Sequence, residues 1–161
     1  MAPDYIFHPM SSADLPMIRC WLETPEVAHW WGDPDEQYAL VSGDLDHPDM
    51  HQFIIAVDDR PFGYIQCYRL SAWNQNFGAQ PTGTRGIDQF IGEPDLVGCG
   101  HGSRFIRQLT DDFLQKGTPR IVTDPDPDNP RAIRAYEKAG FVRERLVDTP
   151  DGVALLMVRE A

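Results

Sequence analysis

Cysteine is scarce. Cys20, Cys67 and Cys99 are the only three in 161 residues, and no Cys-x-x-Cys pair occurs. Neither a disulfide framework nor a thiolate zinc site is built from so few, so far apart. A reducing cytoplasm is the expected setting. Long apolar runs are missing too. No stretch approaches the roughly 20 residues of a membrane span, and Asp4 stands where a secretory leader carries positive charge. No membrane partner is expected. Lysine and arginine are absent from one whole region: residues 20 to 59 hold ten acids and no Lys or Arg. Residues 1 to 19 carry a net of −1, and residues 60 to 161 balance thirteen against thirteen, so the net charge of −11 lies almost wholly in that block. Phosphate neutralisation needs cations, so nucleic acid is not an expected partner. A field of one sign steers small cations, which are allowed. A solvated acidic face that keeps the chain soluble explains the composition as well, and composition alone favours it. What is present is ordinary globular material, 42% hydrophobic and 11% aromatic, at a length that fits one domain with a sizeable core.

The pattern along the chain predicts a mixed α/β fold around a central sheet. Tyr5 to His8 reads as a short strand stopped by Pro9. Ser11 to Asp14 opens a helix with Leu15, Ile18, Trp21 and Leu22 at helical spacing. Thr24-Pro25 to Trp31 is a second helical piece, and Asp33-Pro34 caps a third that runs to about Leu45. Gln52–Val57 and Phe62–Leu70 form a hairpin around Asp58-Asp59-Arg60-Pro61. Residues 71 to 86 show no period, and loops this long inside compact domains tend to be functional or mobile. Gly86 to Ile91 is a strand. After a glycine-rich turn, an apolar stripe (Phe105, Ile106, Leu109, Phe113, Leu114) marks a helix from Ser103 to near Gly117. Arg120–Thr123 is a strand, Asn129 caps a helix that Gly140 ends, and Phe141–Val147 and Val153–Arg159 flank the turn Pro150-Asp151-Gly152. The order is β-α-α-β-β-β-α-β-α-β-β.

Gly98-Cys99-Gly100-His101-Gly102 lies between a strand and that amphipathic helix. Successive backbone amides at a helix N-terminus bind anions, and glycines let a diphosphate approach closely. A P-loop would need a lysine that is missing, and the dinucleotide pattern a third glycine where Ser103 stands. Alone, the turn is as readily a plain tight turn. Its partner is the run Asn129-Pro130-Arg131-Ala132-Ile133-Arg134-Ala135-Tyr136-Glu137-Lys138-Ala139-Gly140-Phe141. Together, the Gly-x-Gly-x-Gly turn and Asn-x-x-Ala-x-x-x-Tyr-x-x-x-Gly-Phe resemble the acetyl-CoA-binding half of the GNAT superfamily of N-acetyltransferases. Arg85-Gly86-Ile87-Asp88-Gln89, Thr123-Asp124-Pro125, Tyr136 to Phe141 and Thr149 to Gly152 narrow the resemblance to aminoglycoside 6′-N-acetyltransferases. His29-Trp30-Trp31-Gly32, Glu36-Gln37-Tyr38 and Gly63-Tyr64-Ile65-Gln66 extend it into the other half. Val97 departs from the family, which usually has Arg or Gln ahead of the turn; one phosphate-side contact is lost and the amides stay.

The resemblance implies a single GNAT domain, with an acceptor-side half of about residues 1–85 and an acetyl-CoA-side half of about 86–161. It implies acetyl-CoA as co-substrate, its diphosphate on the amides from Val97 through Gly98, Cys99, Gly100, His101 and Gly102. Ser103, Gln89, Asn129, Ala132 and Lys138 complete the implied cofactor contacts, and the strand amides near Phe90 and Ile91 hold the acetyl carbonyl. Asp88 would hold the acceptor amine and take its proton, directly or through water; a salt bridge to Arg85 is the bland account of the same residue. Tyr136 would give a proton or hydrogen bond to the CoA sulfur, or is a core tyrosine. Asn129 reads as helix cap, cofactor contact or both. Trp30, Trp31 and Tyr38 would floor a sugar site, with ordinary core packing as the alternative, especially for one tryptophan. Asp124 and Asp151 match acids that meet acceptor amines, but they also end a strand and fill a Pro-Asp-Gly turn. Gln66 is a weaker acceptor candidate. From Trp73 to Arg85 there is no acid, although Trp73 and Phe77 offer rings.

Charge supports this division, since residues 100 to 145 hold nine bases against seven acids. The acidic block then faces a small cationic amine. No metal is expected, because Pro48 breaks the helix that His47 and His51 would need to share. Cys99 has only His101 near it as a base, so direct attack is favoured over an acyl-cysteine. The expected assembly is a monomer or homodimer. Other readings stay open: acetylation of a hydroxylysine-type siderophore precursor or another small housekeeping amine, and a non-catalytic CoA-binding module.

Overall fold

The computed structural model describes residues 4–73 and 76–161. Among these residues, seven strands form one sheet in the order β1-β2-β3-β4-β5-β7-β6. The strands are β1 (Tyr5–Pro9), β2 (Met50–Val57), β3 (Arg60–Arg69), β4 (Arg85–Ile91), β5 (Arg120–Thr123), β6 (Val142–Thr149) and β7 (Gly152–Glu160). The helices are α1 (Leu15–Leu22), α2 (Pro25–Trp31), α3 (Pro34–Gly43), α4 (His101–Gln115) and α5 (Pro130–Lys138). The three helical pieces expected between β1 and β2 are all present, one more than the condensed element order counts, and α3 ends at Gly43, short of Leu45. The chain divides into two compact units, Met1–Cys67 with Asp88–Val97, and Tyr68–Ile87 with Gly98–Ala161.

In the first unit, β1 pairs antiparallel with β2 from Tyr5↔Val57 to Pro9↔Phe53. Pro9 belongs to the strand, because β1 lies at the sheet's edge and a missing N–H there costs no ladder bond. A proline stands in the first turn of each following helix, where its N–H would be orphaned anyway. Asp33 caps α3, accepting from the Glu36 amide at 3.0 Å. The hairpin from β2 to β3 turns through Asp58 and Asp59, both at positive φ, as a two-residue turn that matches strand twist requires. Ile18, Trp21 and Leu22 of α1 bury one stripe against Val27, Val41, Ile54, Tyr64 and Phe90.

Two glycines set how closely this unit packs. A Cβ on Gly63 would stand 2.8 Å from the Phe90 carbonyl oxygen, and one on Gly92 would stand 2.1 Å from the Trp21 ring. Trp21 is buried and edge-on to Phe90 at 6.2 Å, so its indole has no room to retreat. Gly92→Ala is therefore expected to destabilise the protein by about 1–3 kcal/mol, the usual cost of overpacking. Urea unfolding measures this, and an unchanged midpoint would mean that Trp21 yields.

In the second unit, β4 runs parallel to β5, with Arg85↔Ile121 and Gly86↔Val122 in register. β7 lies antiparallel to β5 and forms a hairpin with β6, so β7 sits between them. The Thr123 hydroxyl ties the end of β5 to β4 by donating to the Ile87 carbonyl at 3.1 Å. Phe105, Ile106, Leu109 and Thr110 form the buried stripe of α4, while Phe113 is only half-buried, with the Arg85 guanidinium 5.1 Å from its ring centre. α4 begins at His101, earlier than the expected Ser103, because Gly100 takes the left-handed N-cap conformation at φ +86. The aperiodic stretch is anchored where described: Phe77 is buried, its carbonyl accepts from Arg145, and Thr84 donates to the Pro81 carbonyl at 2.6 Å. Asn74 and Gln75 of that stretch lie outside the described residues.

Candidate active site

Asp88 is half-buried in β4, between fully buried Ile87 and buried Phe90. A carboxylate there needs hydrogen-bond donors. Gln66 of β3 supplies one, its Nε2 donating to Asp88 Oδ2 at 3.0 Å. The side chains of Tyr64 and Gln66 fall on the same face of β3, two residues apart, and the Tyr64 hydroxyl donates to Gln66 Oε1 at 2.6 Å. Gln52 of β2 donates to the Tyr64 oxygen at 3.1 Å and to the Val41 carbonyl at 2.8 Å. A continuous hydrogen-bonded row thus runs from α3 through the buried side of the sheet to Asp88. Burial pushes the Tyr64 hydroxyl far above the usual phenol range; the Gln52 hydrogen bond opposes this, and the carboxylates of Asp88 and Asp44 add to it. Tyr64 is therefore a protonated donor.

The aromatic residues proposed for the acceptor divide by packing. Trp31 is half-buried and packs against the core, edge-on to Phe90 at 5.1 Å and to Tyr64 at 6.3 Å. Trp30 is half-buried with His29 edge-on at 4.4 Å. Tyr38 packs beside the core and carries the Arg19 guanidinium 5.4 Å from its ring centre, so a cation already covers that face. Arg19 also pairs with Asp35 and, at 2.8 Å, with Glu23, partly neutralising the acidic block locally. Gln89 and Ile91 are half-buried, Phe90 is buried, and Val97 donates its amide to Pro94 at 3.3 Å.

In the second unit, the glycine turn leads directly into the 15-residue α4. Gly98 stands at φ +76 with nothing within 4 Å of a would-be Cβ, and Gly100 stands at φ +86 with only the Arg104 guanidinium carbon, at 4.0 Å. No side chain caps the helix here. Open space, left-handed glycines and an uncapped helix start fit a diphosphate, with Arg104 alongside. His101, Gly102 and Ser103 form the first turn, and Ser103 donates to the Gly100 carbonyl at 3.3 Å. Cys99 is exposed.

Asn129 caps α5, its Oδ1 accepting from the Ala132 amide at 3.2 Å. Tyr136 is buried with Ile133 on one face of α5, its ring 5.5 Å from Phe141. Lys138 is exposed. Asp124 is half-buried just past β5, and Asp151 is exposed at the β6–β7 turn, its amide donating to Thr149 at 3.2 Å. Trp73 packs edge-on to Tyr68 at 5.3 Å, and with Phe77 buried, the rings of that segment serve packing. Among the described residues no group of His, Cys, Asp and Glu is placed to hold a metal ion, and no helix is long and apolar enough to cross a membrane.

An open, uncapped helix start that fits an anion and a strand carboxylate held by Gln66 are both present. An acetyltransferase (GNAT) domain model matches residues 11–149, and the chain belongs to that family. It is 36% identical to an aminoglycoside N(6′)-acetyltransferase type 1 of Klebsiella pneumoniae, over 93% of this chain and 80% of that one. It also superposes on the aminoglycoside acetyltransferase AAC(6′)-Ib in its complex with coenzyme A and kanamycin. The TM-score is 0.87 at 32% identity, over 98% of this chain and 95% of that one. A further structure of that enzyme holds acetyl-CoA, with a TM-score of 0.87 at 32% identity over 98% of this chain and 93% of the other.

The sequence marks Gln52 only as the start of a strand and Tyr64 only as part of a motif. One signal was legible: Tyr64 and Gln66 put two polar groups on one face of an otherwise apolar strand. Their partners lie on other strands, which no spacing reveals.

Proposed function

We propose that the chain is one acetyltransferase domain that transfers the acetyl group of acetyl-CoA directly to the 6′-amine of an aminoglycoside, in the reducing cytoplasm. The observation that carries this reading is 36% identity, over 93% of the chain, to an enzyme named for that reaction. The acidic block supports it, because an aminoglycoside carries several ammonium groups and a field of one sign draws them in. The glycine turn supports the co-substrate, with the diphosphate on amides of residues 98 to 102, the Val97 amide being given to Pro94, and Asn129, Ala132 and Lys138 as further CoA contacts.

In this mechanism Asp88 orients the 6′-ammonium and accepts its proton, directly or through water. The amine nitrogen attacks the acetyl carbonyl carbon, whose oxygen is held by strand amides near Phe90 and Ile91. The N–C bond forms and the C–S bond breaks. Tyr136 donates to the departing thiolate, and CoA leaves as the thiol. Trp30 offers the aromatic surface for a sugar ring, since Trp31 is committed edge-on to Phe90 and Tyr64. Asp124 and Asp151 meet further ammonium groups. The acid-free stretch from residue 73 to 85, with Phe77 buried, favours a second reading in which the natural acceptor is a smaller housekeeping amine.

Free-thiol release from acetyl-CoA decides between them, with kanamycin, tobramycin, a 6′-hydroxyl aminoglycoside and lysine-type amines as acceptors. Turnover is expected with the 6′-amino drugs and not with the 6′-hydroxyl one. Turnover confined to lysine-type amines would replace the drug by the smaller acceptor. Binding of acetyl-CoA with no turnover on any amine would make the chain a CoA-binding module.

A further inference from the structure

We infer that Tyr64, ordered by Gln52, is a positioning residue for acetyl transfer: it fixes the side-chain amide of Gln66 so that the NH2 end of that amide holds the Asp88 carboxylate. An amide has one accepting end and one donating end, and only the second can face a carboxylate favourably. The Tyr64 hydroxyl has a single hydrogen, which it gives to Gln66 Oε1 at 2.6 Å. Its oxygen already accepts from Gln52 at 3.1 Å. Reversing the Gln66 amide would bring its NH2 group against that occupied oxygen and its carbonyl against Asp88 Oδ2, now 3.0 Å from Nε2. The hydroxyl stays protonated because burial pushes its titration out of reach, so the orientation holds at every working pH.

Gln52 carries the same message. Its Nε2 is anchored on the Val41 carbonyl at 2.8 Å, yet its Oε1 is buried without a hydrogen-bond partner. An apolar side chain would spare the core that cost. The row accounts for the glutamine: it fixes the Tyr64 oxygen as an acceptor and so determines which way the hydroxyl points. Gln66 is thereby assigned to Asp88 rather than to the acceptor directly.

The inference rests on the acetyl transfer proposed above and on Asp88 as the group that handles the amine. Its test uses the full chain, with kanamycin and acetyl-CoA in the thiol-release assay, on Tyr64→Phe, Gln66→Ala, the double variant and Asp88→Asn. Tyr64→Phe is expected to lower kcat about tenfold, less than the roughly 100-fold or more that a positioned acid or base itself contributes, because Tyr64 acts only through Gln66, with KM for acetyl-CoA unchanged. The acid limb of the kcat/KM profile should move to higher pH, because a donor to a charged carboxylate has lost its orientation. The double variant should be within about twofold of Gln66→Ala, as expected when one residue acts through the other. Losses that multiply, or wild-type kcat in Tyr64→Phe, would overturn the inference. Should Tyr64→Phe fail to fold by circular dichroism, Gln66→Ala and Gln52→Leu decide, and wild-type kcat in either overturns it. Loss of activity in Asp88→Asn beside a fully active Tyr64→Phe removes only this inference. Full activity in Asp88→Asn removes the Asp88 reading itself.

Discussion

Asp88→Asn is expected to lower kcat for kanamycin acetylation by about 100-fold or more, the range in which positioned acid–base groups contribute. The substitution keeps size and shape, and Asn can still accept from Gln66 through its carbonyl oxygen, so β4 and the Gln66 contact are kept. What disappears is the negative charge that an ammonium is drawn to and the oxygen that can take its proton. KM for the aminoglycoside should rise as well, and its dependence on salt should weaken, since one attracting charge is gone. KM for acetyl-CoA should not move, because Asp88 is not among the residues proposed to hold the diphosphate. Steady-state kinetics at two ionic strengths separate these effects. A variant that keeps a third of the wild-type kcat would remove Asp88 from the chemistry.

The second large effect is expected at the glycine turn. Gly100 stands at φ +86 as the N-cap of α4, a conformation that costs other residues about 1–2 kcal/mol. Gly100→Val imposes that strain and fills the open cradle with two methyl groups. The affinity for CoA should fall at least about tenfold, equivalent to 1.4 kcal/mol, as read by calorimetric titration. Strain alone is controlled by Gly117→Val, at φ +106 beyond the end of α4 with nothing within 4 Å of its Cβ position. That variant should lose comparable stability and keep its CoA affinity. Equal losses of affinity in both would assign the effect to α4 as a whole rather than to the cradle.

Much of the local structure was legible because it is dictated within a few residues. Asp33 and Asn129 were readable as caps, and both accept the backbone amide three residues on. The hairpin turn at Asp58-Asp59, the β5 boundaries and the stop at Gly140 follow in the same way from turn chemistry and from φ +105 at that glycine. Boundaries slipped where a neighbour outweighed propensity. Pro9 by itself predicts a stop, yet an edge strand tolerates it. The apolar stripe of α4 begins only at Phe105, but the helix opens at His101 where Gly100 turns the chain.

The sequence by itself determined the element types, the glycine turn, the charge division and, through its motifs, the family. Each of these is carried by residues close together in the chain. Only the tertiary structure decided that β7 lies between β5 and β6, that Trp31 packs edge-on to Phe90 and Tyr64, and that Arg19 covers Tyr38. It alone joined Gln52, Tyr64, Gln66 and Asp88 into one row across three strands. Each hydrogen-bonded pair in the row is separated by 2 to 22 residues along the chain. Hydrogen bonds across a sheet depend on strand order and register, which follow from how the whole apolar surface is buried.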